Sequence, residues 1–259
     1  MHIHMNFVNL YNRIQNVCLV TCRLILRSNH CQRKTYHLVQ QMYIMGIESV
    51  SIILLSSCFI GMIFTFQVAR ELTYLNATDL VGSILTVTFL RELSPVLTAI
   101  IVTGRIGSAY TAEIASMQVT NQIDVLYVLH IDPIDYLIRP RILACIIMLP
   151  LLNLISLATS IVSSICIATI LYNIAPVIFI TSAHGAIHIS EILYSFIKAT
   201  IFGLIIGLIS CTWGLTANGG SINVGKSTTS SVVTILITVF IIDFFLSLLM
   251  FNNSGSLVY

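Results

Sequence analysis

Among the charged residues inside apolar runs, where charge is expensive, four are candidates for a shared site: Arg91 and Glu92 in one run, Lys198 in a later one and Asp243 in the last. Near a bilayer centre each costs about 2.5–3.5 kcal/mol on insertion scales, so a chain that keeps them there pairs them or uses them. Lys198 has the sign to neutralise Asp243 or Glu92 across a helix bundle, as a buried pair that fixes helix register. The same four groups are also suited to lining an outward-facing cavity at the depth of lipid headgroups, and Glu92, Lys198 and Asp243 could relay protons. His184, His188 and Glu191 have a spacing that can hold a metal, but the glutamate that zinc peptidases place beside the first histidine is missing, and an interfacial pair of histidines fits better. Residues 220–227, GSINVGKS, match GxxxxGK[ST], the loop that cradles phosphate in ATPases. That loop works between a buried strand and a helix, in a domain that also supplies a magnesium-binding carboxylate; here it falls in a short turn between two apolar runs, so neither nucleotide nor any other cofactor is expected to bind this chain.

The elements that must position these groups are set by composition. Of 259 residues, 57% are hydrophobic and 8% charged, against roughly 25% charged in soluble domains, which leaves too little polar surface to cover a soluble core. The class expected is all-α: a polytopic membrane helix bundle, with no soluble catalytic domain and no nucleic-acid partner. Apolar runs at residues 46–68, about 80–112, 138–171, 192–215 and 231–251 give five transmembrane helices. The second and third exceed the hydrocarbon thickness and must tilt or project. The seven cysteines are scattered and read as small hydrophobes.

Residues 1–45 form a separate N-terminal segment, and 46–259 the transmembrane domain. In the segment, Phe7, Leu10, Tyr11, Ile14, Val17, Cys18, Thr21 and Leu24 recur at helical spacing opposite Asn6, Asn9, Asn12, Arg13 and Asn16. That pattern is an interfacial amphipathic helix rather than a cleaved targeting peptide, since no compact apolar core with a small-residue cleavage site appears. Arg13, Arg23, Arg27, Arg33, Lys34, Arg105, Arg139, Arg141 and Lys226 collect on one side when the N-terminus is inside. The positive-inside rule then puts the N-terminus and the 113–137 and 216–230 loops on the cytoplasmic face, and the C-terminus outside. Gly104, Ser108, Ala112 and Ser116 place a small residue at every fourth position, and Gly203, Gly207 and Cys211 repeat the device, as close helix packing in lipid requires.

Between the second and third runs the chain does not turn back at once. Asn121 is placed to cap a short helix with Asp124 at its third position; Gln122 opens the helix, and Ile123, Leu126, Tyr127 and His130 give it one apolar edge. It should stop near Ile131, because Pro133 disfavours helical geometry at Asp132, which then caps the next turn. Such a helix is either a solvated connector or a docking element for a soluble partner. Arg105 and Glu113 lie near the cytoplasmic end of the second run and are assigned to structure or coupling.

The stretch RELSPVLTAIIVTGRIGSAYTAEIASMQVTNQIDVLYVLHIDPIDYLIRPRILA resembles the central signature of the MlaE-type permeases of ABC lipid transporters, and CTWGLTANGGSINVGKSTTSSVV resembles that family's second cytoplasmic signature. The likeness covers nearly the whole chain. It implies a non-catalytic permease for phospholipid or a related glycerolipid, with residues 121–132 as the coupling helix that contacts a separate ATPase. It further implies a homodimer, two ATPase subunits that use ATP and magnesium, an MCE-domain lipid-binding partner on the other side, and a plastid (chloroplast) inner envelope or bacterial inner membrane. Two other readings fit the same residues. One is an ion-coupled secondary transporter built on the intramembrane charges, against which the lack of an evident internal repeat counts. The other is an intramembrane enzyme using His184, His188 and Glu191.

Overall fold

Hydrocarbon offers no partner to a peptide N–H or C=O, so each apolar run must close its own hydrogen bonds, and a helix does this within one segment. The computed structural model describes residues 35–217 and 219–251, and the secondary structure of those residues is helical, without a strand. The amphipathic helix expected over residues 7–24 lies outside the described residues.

Among the described residues, five helices are long and apolar enough to cross a membrane, as the apolar runs predict: Tyr36–Tyr74, Thr78–Val119, Ile134–Tyr172, Ile189–Leu215 and Ile222–Met250. The chain is a multi-pass membrane protein of the all-α class. The first span is α1 (Thr35–Tyr74). The second is not one regular helix but three, α2 (Val81–Thr88), α3 (Ser94–Val102) and α4 (Ser108–Val119), joined by π-turns at Phe89–Leu93 and Thr103–Gly107. After it comes the short α5 (Gln122–Val128); a further π-turn at Ile134–Ile138 then leads into α6 (Arg139–Tyr172). The fourth span is α8 (Ile189–Leu215) and the fifth α9 (Ser221–Phe251).

Three local expectations are corrected. Asn121 does not cap α5 with its side chain: it adopts φ +58°, closes α4 with its N–H on the carbonyl of Gln118 at 3.2 Å, and gives only its own carbonyl to the N–H of Val125. Asparagine is one of the few residues that accept the left-handed conformation, so it can end one helix and start the next without a loop. The helix it starts ends at Val128 rather than near Ile131. His130 takes φ +57°, its N–H meets the carbonyl of Tyr127, and Ile131 reaches back to Leu126, both at 3.0 Å, which is a Schellman closure independent of Pro133. The GxxxxGK[ST] run is not a turn, because α9 already begins at Ser221 and carries Gly225, Lys226 and Ser227 inside it. Wound into a helix, those amides bond along the chain and cannot gather around a phosphate.

One helix was not expected. α7 (Pro176–Ala186) starts with Pro176 in its first turn behind the extended Ala175, where a missing N–H costs nothing. It lies so close to α2 that a Cβ at Gly82 would strike the Phe179 carbonyl and the Ser182 hydroxyl.

The chain falls into two compact units made of different stretches of the same helices. The first unit takes Val102–Met148, Phe202–Val239 and the described residues before Gly46. Its core gathers Ile114, Ile123, Ile138, Ile142, Leu208 and Cys211. Fourth-span glycines let backbones touch here: a Cβ on Gly203 would lie 2.5 Å from the Cys145 carbonyl, and one on Gly207 3.0 Å from the Ile142 Cα. The second unit takes Gly46–Ile101, Leu149–Ile201 and the described residues from Phe240. Val81, Leu85, Phe89 and Phe179 form its core. Hydroxyls bind the first and third spans there: Ser57 meets Thr159, Ser160 donates to the Ser57 carbonyl at 3.2 Å, and Ser164 to that of Gly61 at 3.4 Å. Such bonds hold helices together where burial from water no longer drives association.

Candidate functional site

The intramembrane charges meet in the second unit. Lys198 is fully enclosed at 0% exposure, and its ammonium bonds the carboxylates of Asp243 at 3.0 Å and Glu92 at 3.1 Å, the Ser247 hydroxyl at 2.7 Å and the backbone carbonyl of Arg91 at 2.9 Å. Ser247 in turn donates to the other oxygen of Glu92 at 2.8 Å. Both pairings open to Lys198 in the sequence are therefore made at once. The carbonyl of Arg91 is available for a local reason. In a regular helix it would receive the N–H of residue 95, and that residue is Pro95, which has none. The proline and the π-turn before it thus turn a backbone oxygen toward the lysine.

Arg91 belongs to the same site but has a partner that the sequence reading missed. Its guanidinium holds Glu191 through two bonds, Nε at 2.9 Å and Nη2 at 2.6 Å, the forked geometry that arginine makes with carboxylates. Glu191 opens α8 and is buried, so it belongs to the charge network and not to a metal site with His184 and His188. No group of three or more potential metal ligands occurs among the described residues. The whole constellation holds two cations and three carboxylates, enclosed at Lys198 and open to the outside at Arg91 and Glu92. Beside it, Ser94 donates to Asn153 Oδ1 at 2.6 Å and Asn153 Nδ2 donates to Ser195 at 2.9 Å, a buried polar chain across three spans.

The first unit presents the other candidate surface. In α5, Ile123 is buried and Leu126 half-buried, while Asn121, Gln122, Asp124, Tyr127 and His130 are exposed. Apolar residues of the same stretch also face outward: Val125, Leu129 and, at 77% exposure, Val128. The backbone carbonyl of Asp132 receives the N–H of Tyr136 at 3.1 Å, at the start of the next helix. A small cleft of about 190 Å³ opens next to α5, lined by Gln118, Val119, Asn121, Ala217, Gly219 and Gly220. Glu113 bonds Arg141 at 2.7 Å.

The small-residue stripes divide. Gly203 and Gly207 touch the third span as described above, whereas Gly104 is exposed with nothing within 4 Å of a Cβ built on it, and Ser108 and Ala112 are half-buried. The Arg91–Glu191 pair has no local signal in the sequence, because pairing across 100 residues is a property of the fold.

Comparison with known proteins follows the same lines. Residues 38–249 match the family Permease MlaE. Over 234 residues the chain is 52% identical to the probable ABC transporter permease protein ycf63 of Pyropia yezoensis, covering 90% of this chain and 89% of that one. It is 47% identical over 217 residues to a probable ABC transporter permease protein of Synechocystis sp., covering 84% and 82%. It is 42% identical over 240 residues to the Arabidopsis thaliana protein Trigalactosyldiacylglycerol 1, chloroplastic, covering 93% and 69%.

Proposed function

The chain belongs to the MlaE permease family, and from that premise we propose that it serves as the membrane subunit of an ABC transporter that moves lipid, driven by a separate ATPase. ATP and its magnesium are handled by that partner; this chain supplies the path and the lever. The observation that carries the reading is α5, a short helix anchored inward by Ile123 while Val125, Val128 and Leu129 remain exposed beside a cleft. A solvated connector gains nothing from three outward apolar side chains, whereas a docking surface does. Asn121, Gln122, Asp124, Leu126, Tyr127, His130 and Asp132 complete this coupling element, on the cytoplasmic side or its plastid equivalent.

The cargo is a phospholipid or related glycerolipid; one relative carries a glycerolipid in its name. Long apolar spans suit the acyl chains, and Arg91 and Glu92, at the open side of the charge cluster, offer both signs to a headgroup. Lys198 and Asp243 hold that side in place. Two copies form the transporter, and the uncovered strip at Gly104, Ser108 and Ala112 lets a second helix approach closely. An MCE-domain lipid-binding protein stands on the opposite side of a plastid inner envelope or bacterial inner membrane. Residues 46–259 form the permease domain, behind an N-terminal interfacial segment.

Copurification tests the reading. The ATPase should stay with the unaltered chain and be reduced about tenfold or more by Val128→Asp or Asp124→Arg, the effect of spoiling a central contact. An assembly that keeps its ATPase through both changes, or lipid movement by the isolated chain on an ion gradient without ATP, would replace this function with that of a secondary transporter.

A further inference from the structure

In the first unit, α5 is bracketed by two charges that find each other. Glu113 precedes it and Arg141 follows it, and their 2.7 Å bond joins positions 28 residues apart. Arg141 is only 4% exposed, while the Glu113 side chain is 51% exposed: the cation is sunk in the protein and the carboxylate stands at its mouth. The guanidinium also lies over the ring of Tyr110, 5.3 Å from its centroid. Tyr110 and Glu113 share the last part of the second span, so that helix grips the third by charge and by ring face together.

We propose that Glu113 and Arg141 form a permanent clasp that makes α5 and the adjoining ends of the second and third spans one rigid body, so that a push received at α5 reaches the spans. The inference rests on the ATPase contact proposed above. Glu113 and Arg141 are positioning residues and touch no substrate.

Three observations say that the clasp stays shut. The Nη1 of Arg141 is buried and meets no hydrogen-bond acceptor among the described residues, so withdrawing Glu113 would leave a poorly satisfied cation in an apolar site, which is strongly unfavourable. The loop has little slack: its turns are single left-handed residues, Asn121 at φ +58° and His130 at φ +57°. Ile123 fixes the middle of the segment, because it is buried in one cluster with Ile114 before it and Ile138 and Ile142 after it. A loop tied at both ends and pinned at its centre does not bend between them.

The test uses the full assembly in liposomes, with a fluorescent phosphatidylcholine as the transported probe, and reads ATPase retention, thermal unfolding and lipid moved per ATP. The decisive variant is Glu113→Leu with Arg141→Met, which removes the clasp yet leaves no charge unpaired, so the fold survives. The double variant should keep its ATPase and its melting temperature and move about tenfold less lipid per ATP, a size typical of lost coupling between sites. Glu113→Asp, which retains the charge, should recover part of the loss. The proposal is overturned if the double variant moves as much lipid per ATP as the unaltered chain, or if it releases the ATPase. Failure of the unaltered chain to hold any ATPase would sink the underlying function instead, before a variant is made.

Discussion

Lys198 in the second unit and Arg141 in the first are both cations sunk in apolar surroundings, yet the chain treats them in opposite ways. The ammonium has three hydrogens and meets four acceptors, two of them carboxylates. The guanidinium has five N–H groups and, among the described residues, one carboxylate and an aromatic face, with Nη1 unmet. Lys198 joins groups from the second, fourth and fifth spans, so it fixes the register of three helices at once, whereas Arg141 closes one loop. What a buried charge contributes is set by the number of elements that supply its partners, and burial alone does not reveal it.

The sharpest way to break that contrast is Lys198→Met. It strips Glu92 and Asp243 of their counter-ion inside a bundle, and about 3–5 kcal/mol of stability should go with it. Thermal unfolding in detergent should show a large drop, partly restored by adding Asp243→Asn; an unchanged melting point would mean that the lysine does not hold the three spans together. Next in size is a steric comparison. Gly203→Val places its Cβ 2.5 Å from a backbone carbonyl and should cost about 1–3 kcal/mol, while Gly104→Val meets nothing within 4 Å. The second change should leave the melting point alone and weaken crosslinking between copies; equal effects of the two on unfolding would remove the distinction between the stripes. Smallest is Glu191→Gln. Arg91 keeps 36% of its side chain exposed, on the side proposed to meet headgroups, so in detergent micelles polar headgroups and water replace the lost charge and the loss should stay below about 1 kcal/mol in the same assay.

Most of the framework was legible because apolar length alone decides it. Five runs produced five spans, and the resemblance carried by residues 91–144 led to the family later matched over 38–249. What failed to show was whatever depends on a partner distant in the chain or on the solvent itself. The bond from Arg91 to Glu191 spans 100 residues, and hydropathy says nothing about it. Residues 221–230 are rich in glycine, serine and threonine, a turn signal in water, but their hydroxyls bond back within the helix, as Ser227 does to Asn223 and Thr229 to Gly225. Asn121 was assigned to the correct junction for the wrong reason, since a short polar side chain can cap a helix or tolerate φ above zero, and only the backbone tells which. Pro95 does carry a local signal: a proline four residues after a charged position frees the carbonyl about one turn back, and a buried ammonium needs such an oxygen.

The π-turn at Thr103–Gly107 gives the second span a surplus residue. The wider turn absorbs that residue, so the helix beyond it faces the same way as if the span were uninterrupted. Deleting one residue there would tighten the π-turn to an ordinary α-turn and leave Thr111 at the carbonyl of Ser210 and Ile114 against Gly214. The same deletion inside the regular α4 would rotate everything after it by about 100°. The second span thus carries one place where a lost codon is forgiven, a few residues ahead of a stretch where it is not.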